Sequence, residues 1–525
     1  MLFPAHLSNI VDEGVRYTMK RIKWVIGAGA IISVACLLDG CVGNIDKPAA
    51  TFKTYCGGCH NLPDPAQLTK GVWERLVLPE MGARLGVKIE GYDPYRRVDM
   101  NEKMLLQSNN VYPEKPMISD SDWEAVTKYI LENAPDSMPA DLARVERSSV
   151  LTQFSPTFIK TEDFKGSLVT HFRHFDDEKG VYGANANGQI WKWAPGDSAR
   201  IEETFKTSVV SFNRSMGREF VVEMGQMHPT EQSLGTLWEV TPDQPQRKVA
   251  EFLQRPVFSL VEDFDGDGTD EILVCEFGNL IGQLTLISDI DGRREKTQLL
   301  PYAGCIKVEV HDMDNDGLKD LVVLVSQGNE GAYILYQGKG LTFAARQILR
   351  LNPLYGSSDL ELFDYDGDGD MDIAVAHGDN ADYSPILKPY HGMRLFLNDG
   401  KNNFEEAFFF PAYGATQVEA VDFDQDGDVD FAISCFFPDF DNNPKESFIY
   451  LENTSSADFS FQPHTLANAD DGRWIVMESG DIDLDGDTDL ILGSFTYSPA
   501  FTPKSFIDKW NASTTDVLYL ENKLK

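Results

Sequence analysis

The sequence predicts a multidomain chain: a small all-α domain followed by an all-β propeller, with seven as the expected number of blades. Three observations carry this expectation. Five acidic loops of one pattern recur between residues 263 and 489. Each is followed by a short run of Val, Ile and Leu with strand character. Ahead of about residue 150 the apolar residues recur at helical spacing instead. The predicted division is 1–41 as an export segment, 42–150 as the helical domain with its linker, and 151–525 as the propeller.

Taken in order, a basic stretch, Met19-Lys20-Arg21-Ile22-Lys23, precedes an apolar run from Trp24 to Leu38 and then Gly40-Cys41. This is the layout of a secretory signal ending at a cleavage site. The run is shorter than the roughly 20 residues of a membrane-spanning helix. A cysteine directly after a small residue resembles the lipobox of bacterial lipoproteins, which implies that Cys41 is acylated. The resemblance also implies a chain exported to the periplasm or cell surface and held on a membrane by lipid. Cys36, in Ser33-Val34-Ala35-Cys36, is a competing site, and a plain N-terminal anchor helix is the other reading. Residues 1–18 carry Asp12 and Glu13 and fit no signal design, so Met19 is the expected start.

Cys56-Gly57-Gly58-Cys59-His60 follows. Two thiols three positions apart and an adjoining imidazole are the attachment signature of a c-type haem. Cys56 and Cys59 supply the thioethers and His60 the proximal nitrogen. A zinc site is disfavoured because the chain has no second Cys-x-x-Cys to complete four ligands.

Behind that motif, Val72, Trp73, Leu76, Val77 and Leu78 form one apolar helical stripe, and Trp123, Val126, Ile130 and Leu131 form another. Ser119 to Asp122 offer N-cap oxygens and first-turn acidic charge to the second. The segment from about Pro48 to Ser137 resembles a mono-haem class I cytochrome c. That resemblance implies the family fold, one covalent haem c and a methionine as sixth ligand. Met81 is preferred, since Trp73, Val77 and Met81 are spaced by four and followed by glycine. Met117 is the alternative, and Met100, Met104 and Met138 are the remaining methionines of the segment.

The five loops match D-x-D-x-D-G-x-x-[DE] and begin at Asp263, Asp312, Asp364, Asp422 and Asp481. Their carboxylates at positions 1, 3, 5 and 9 are Asp263, Asp265, Asp267 and Glu271, then Asp312, Asp314, Asp316 and Asp320. Asp364, Asp366, Asp368 and Asp372 form the third set, Asp422, Asp424, Asp426 and Asp430 the fourth, and Asp481, Asp483, Asp485 and Asp489 the fifth. Oxygen donors clustered round an invariant position-6 glycine suit a hard cation such as Ca²⁺. An EF-hand is excluded by position 12, where Val274, Val323, Val375, Ile433 and Leu492 stand in place of a bidentate Glu. The loops resemble those of FG-GAP or VCBS repeats, the family that includes the integrin α-subunit propeller, which implies about five Ca²⁺ ions.

Two units without the acidic loop precede these five, around 171–193 and 209–240. Together they make seven units of about 53 residues each, a length suited to four-stranded blades. Six or eight blades also fit the length. Thr157-Phe158-Ile159 and Val517-Leu518-Tyr519-Leu520 are the strands expected to close the ring in one blade.

The chain carries 46 basic against 83 acidic residues, a net charge of −37, which five Ca²⁺ ions bring to about −27. Such a surface excludes nucleic acid as partner and favours a basic partner or divalent bridging. Cys275, Cys305 and Cys435 are odd in number and imply no disulfide scaffold. The loops after the apolar runs, at 275–279, 377–383, 437–441 and 495–497, mix aromatic and polar groups as ligand faces do. Among them His377, Asp379 and Asp382 read as turn residues rather than an acid/base cluster, and His171 and His174 as surface residues. No nucleophile triad, nucleotide loop or dehydrogenase signature occurs, so no catalytic residue is assigned. The favoured reading is an anchored electron-transfer cytochrome whose propeller docks a redox partner protein, a carbohydrate or another protein. The alternatives are an oxidoreductase with its substrate site on the propeller face, and an adhesion module with a haem sensor.

Overall fold

The computed structural model describes residues 47–138, 147, 151–161, 166–290, 293–378, 386–497, 502–513 and 515–524. Residues 1–46, with the expected export segment and with Cys36 and Cys41, lie outside the described residues, as do Asp379 and Asp382. The helical segment and the all-β body belong to one compact unit.

The helical segment opens with Lys47–Cys56 and closes with Asp120–Asn133. Between them lie a helical run through Lys70–Val72, Trp73–Val77 and Leu78–Arg84, and a helix at Met100–Ser108. The last helix starts where its cap signal predicts, with Ser119 Oγ accepting the Asp122 N–H at 3.2 Å. Phe52, Leu68, Trp73, Leu78, Val126 and Ile130 form the core, and the Phe52 and Tyr129 rings join first to last helix at 5.1 Å. Leu76 departs from its predicted place in the stripe and is exposed. The reason is a widened turn in which Leu78 N–H reaches back to Trp73 C=O, adding one residue and rotating the stripe by about 100°.

The body is seven four-stranded antiparallel sheets, which settles the blade number. Blade 1 uses Val169–His174, Val181–Asn185, Gln189–Trp193 and Arg200–Thr204; blade 2 begins at Val209–Ser215. The first strands of blades 3 to 7 are Pro256–Glu262, Cys305–His311, Ser357–Phe363, Ala415–Val421 and Trp474–Gly480. First strands of successive blades face one another around the axis. Second strands are buried on both sides, as Leu321 to Val325 illustrate, because neighbouring blades cover each face. Blade 7 is closed by Phe154–Ile159 pairing with Val517–Asn522, in the register Thr157↔Tyr519, Phe158↔Leu518 and Ile159↔Val517. These are the strands the sequence nominates for closure.

His174 corrects a surface expectation. It is buried on the first strand of blade 1, with Nδ1 2.9 Å from the Gly180 carbonyl, and its ring packs on Gly480 of the adjacent blade. His171, on the same strand, is also largely enclosed, and burial pushes its imidazole down to about 4. Alternation along a strand does not reveal exposure when the strand is innermost in a ring. Cys275, Cys305 and Cys435 are all buried.

Candidate functional site

Each acidic loop joins the first and second strands of its blade, so all five lie on one face of the ring. The position-1 carboxylate organises the turn. Asp263 accepts the N–H groups of Gly266 and Gly268 at 2.8 and 3.0 Å, and Asp364 those of Gly367 and Gly369, while Asp312, Asp422 and Asp481 accept from positions 5 and 6 of their loops. The position-6 glycines sit at φ from 85° to 99°, where a Cβ would be strained. Position 4 is left-handed too, and Leu484 occupies it in the fifth loop at φ 63°.

Three carboxylates per loop bring oxygens within 4.8 Å of one another: Asp263, Asp265 and Glu271; Asp312, Asp314 and Asp316; Asp364, Asp366 and Asp372; Asp422, Asp424 and Asp430; Asp481, Asp483 and Asp485. The fourth predicted group of each loop stands outside this tight set. Asp267, Asp368 and Asp426 accept the N–H two residues on, at 2.7, 2.9 and 3.0 Å. Asp320 accepts N–H groups of Met313 and Gln337, and Asp489 accepts Asn522 N–H and Tyr519 O–H. Burial raises the position-9 groups: Glu271 and Asp430 to about 7, Asp372 and Asp489 to about 6. Backbone donors oppose this shift and neighbouring loop carboxylates add to it. Such a cage holds protons in the absence of a cation, and its oxygen-only donor set suits Ca²⁺.

Position 2 and the end of the third strand belong to the same device, and the motif does not display them. Phe264, Met313, Tyr365, Phe423 and Ile482 are buried at position 2. The amides of Gln337 and Asn522 donate to the carbonyls of Phe264 and Phe423 in the preceding blade, both at 2.8 Å. The recurring signal is Gln337, Asn398, Asn453 and Asn522, each closing a third-strand apolar run.

On the opposite face sit the second-to-third-strand loops and the links between blades, and here the helical segment docks. Asn61 Nδ2 donates to the Arg350 carbonyl at 3.3 Å, Asn352 Nδ2 to Gln67 Oε1 at 2.7 Å, and Tyr390 O–H to the Gln67 carbonyl at 3.0 Å. Leu354 and Ile386 join the helical core. Farther round, Thr230 and the Glu231 N–H hold the Glu102 carboxylate. His377, read from sequence as a turn residue, is fully buried at a strand end with Nδ1 2.9 Å from Ser357 Oγ. Ser357 also donates to Glu330, which burial pushes up to about 8.

Cys56 is the last residue of its helix, half-buried, and Cys59 is exposed. Gly57 is dictated by space, since a Cβ there would meet the Lys53 carbonyl at 2.8 Å. His60 Nδ1 lies 2.7 Å from the Asn61 carbonyl. A carbonyl only accepts, so Nδ1 donates and Nε2 keeps its lone pair. Burial lowers the affinity of His60 for a proton, the Asn61 bond opposes this, and the Arg350 and Arg84 cations reinforce it. Arg84 ends the helix that carries Met81. Met81 is half-buried, whereas Met117 is 61 % exposed and Met100 and Met104 are exposed as well. Two free thiols and an imidazole with an available nitrogen fit a covalently held haem.

Residues 312–375 match the model of an FG-GAP-like repeat. That stretch runs from the first aspartate of the second loop to the strand behind the third, so two of the five loops are FG-GAP-like repeat loops by direct comparison. No curated protein sequence matches the chain. Among solved structures, the Pan2 WD40 domain of Neurospora crassa is 10% identical, with 71% of this chain and 96% of that one covered at a TM-score of 0.43. Sqt1 of Saccharomyces cerevisiae is 10% identical over 72% and 99% at 0.42. An ancestral GH74 enzyme is 11% identical over 71% and 51% at 0.43. A seven-bladed propeller with FG-GAP-like repeats points to a binding or docking module.

Proposed function

We propose that the protein is an exported, lipid-anchored c-type cytochrome that transfers electrons. In this reading the propeller binds Ca²⁺ on one face and carries the haem-bearing segment on the other. The observation that supports it best is His60, whose Nδ1 is committed to the Asn61 carbonyl beside two free thiols. Haem held at Cys56, Cys59 and His60, with Met81 as sixth ligand, supplies a one-electron iron couple.

The chain's own residues do the rest. Asn61 fixes the His60 ring, the Arg350 and Arg84 cations disfavour extra positive charge on it, and Leu62 helps shield the motif. Docking of Asn61 and Gln67 on blades 4 and 5 holds the segment against the propeller, which presents it to a redox partner protein. Asp and Glu at positions 1, 3, 5 and 9 of the loops hold about five Ca²⁺ ions that stiffen the opposite face. Among the described residues no helix is long and apolar enough to cross a membrane; the proposed anchor is the lipid on Cys41.

An anaerobic redox titration of the calcium-loaded protein tests this reading. A high potential with the weak methionine-to-iron band, lost in Met81→Ala, is expected. A low potential without that band would remove Met81 as ligand and the relay role with it.

A further inference from the structure

A recess of about 310 Å³ opens in the outer half of blade 4, on the face away from the acidic loops. Leu300 and Tyr302 line it from blade 3 and the link that follows, Asn329 from the second-to-third-strand loop, Tyr333 from the third strand, and Gln347 and Arg350 from the outer strand. Its volume is at the small end of ligand clefts, which run from roughly 300 Å³ upward.

Three features mark it as built for a ligand. The Tyr302 and Tyr333 rings pack on each other with centroids 5.5 Å apart at 36°, giving one continuous apolar wall on which a small ring can lie. The side chains of Asn329, Gln347 and Arg350 and both phenols make no hydrogen bond or ion pair among the described residues, and Gln347 and Arg350 are exposed, so five polar groups line the recess without a protein partner that a ligand would have to displace. Finally, no lining residue is acidic, although the chain carries a net charge of −37. An arginine left without a carboxylate in so acidic a protein is a site for an anion brought from outside.

Arg350 also connects the recess to the haem motif. Its carbonyl holds Asn61, and its cation acts on His60. Burial pushes the Tyr333 phenol up to about 12 against the pull of that same cation, so Tyr333 remains a donor at neutral pH.

We propose that this recess binds a small hydroxylated carboxylate of the uronic acid class. Arg350 takes the carboxylate in a fork of two N–H groups, Asn329 and Gln347 exchange hydrogen bonds with ring hydroxyls, and the two tyrosines cover the apolar ring face. The site does not require haem attachment, so it stands or falls apart from the electron-transfer reading.

Isothermal titration of the full, calcium-loaded protein with D-galacturonate, and with D-galactose as the neutral counterpart, tests it. Galacturonate is expected to bind at least about tenfold more tightly than galactose, the difference one charge-assisted contact supplies. Arg350→Gln, at an exposed position where folding is unaffected, is expected to erase that preference, and Arg350→Lys to restore part of it. Tyr333→Phe is expected to weaken both sugars alike. Absence of galacturonate heat, equal binding of both sugars, or an Arg350→Gln variant with undiminished preference would each overturn the proposal. A redox-potential shift in that variant without galacturonate heat would assign Arg350 to the haem alone.

Discussion

Stripping divalent ions from the loops near neutral pH leaves three carboxylates per loop with oxygens no more than 4.8 Å apart. Two unit charges at that distance repel by about 0.9 kcal/mol even in a water-like medium. Three such pairs make about 2.6 kcal/mol per loop and about 13 kcal/mol over five loops. Unfolding entropy is about 2.1 cal/mol/K per residue, so over about 370 propeller residues that energy lowers the melting temperature by about 17 °C. The position-9 groups give the effect a pH dependence. Glu271 and Asp430 are raised to about 7, and Asp372 and Asp489 to about 6, by burial, against about 4 in the unfolded chain. Between those values the cation-free fold binds more protons than the unfolded chain. The stability these four groups contribute is therefore full below about pH 4 and is lost as pH rises through 6 and 7. Scanning calorimetry of calcium-loaded and chelator-stripped protein at about pH 5 and about pH 7.5 reads both quantities. The gap between the two states should widen with pH. A stripped protein melting within about 2 °C of the loaded one at the higher pH would refute the cation-cage reasoning.

Other perturbations have definite outcomes. Asn522→Ala removes donation to the Phe423 and Thr488 carbonyls at 2.8 and 3.0 Å and leaves a buried carbonyl unpaired; a loss of about 3 kcal/mol in urea unfolding is expected, and under about 1 kcal/mol would dismiss the blade clasp. Leu484→Gly relieves a left-handed leucine at φ 63°, worth about 1–2 kcal/mol against the added flexibility of about 0.5–1 kcal/mol for glycine, so a small rise in melting temperature should follow. Trp73→Ala empties the helical core and frees the Pro65 carbonyl that Trp73 Nε1 meets at 2.9 Å. It should cost about 3–5 kcal/mol, read as lost helical circular dichroism with the calcium-dependent transition of the propeller unchanged.

The repeated aspartates make most of the fold legible in the sequence, because each loop marks the same joint between first and second strands and so marks five of the seven blades. Closure was readable as well, since the strand-like runs of Phe158 and Leu518 lie at opposite ends of the propeller sequence, where a ring must be joined. What escaped depends on ring geometry. His174 is buried by the neighbouring blade's Gly480, which no local period encodes. Leu76 leaves the core through a widened turn that the 3.6-residue period does not anticipate. In the loops, four carboxylates were expected to converge and three do: position 5 stays outside the tight set in loops one, three and four, and position 9 in loops two and five. The recess on blade 4 was invisible for a different reason. Its residues come from five separate elements, and Arg350 is one basic residue among 46 until its lack of a partner is seen.

The pyridine haemochrome spectrum of the protein, taken after acid–acetone extraction, tests the central claim most directly. Haem joined to Cys56 and Cys59 stays with the protein through extraction and gives the shifted band of a saturated side chain, and Cys56→Ala with Cys59→Ala abolishes it. A wild-type protein that emerges from a haem-c-assembling host without retained haem would contradict the account and leave the propeller as a calcium-dependent docking module.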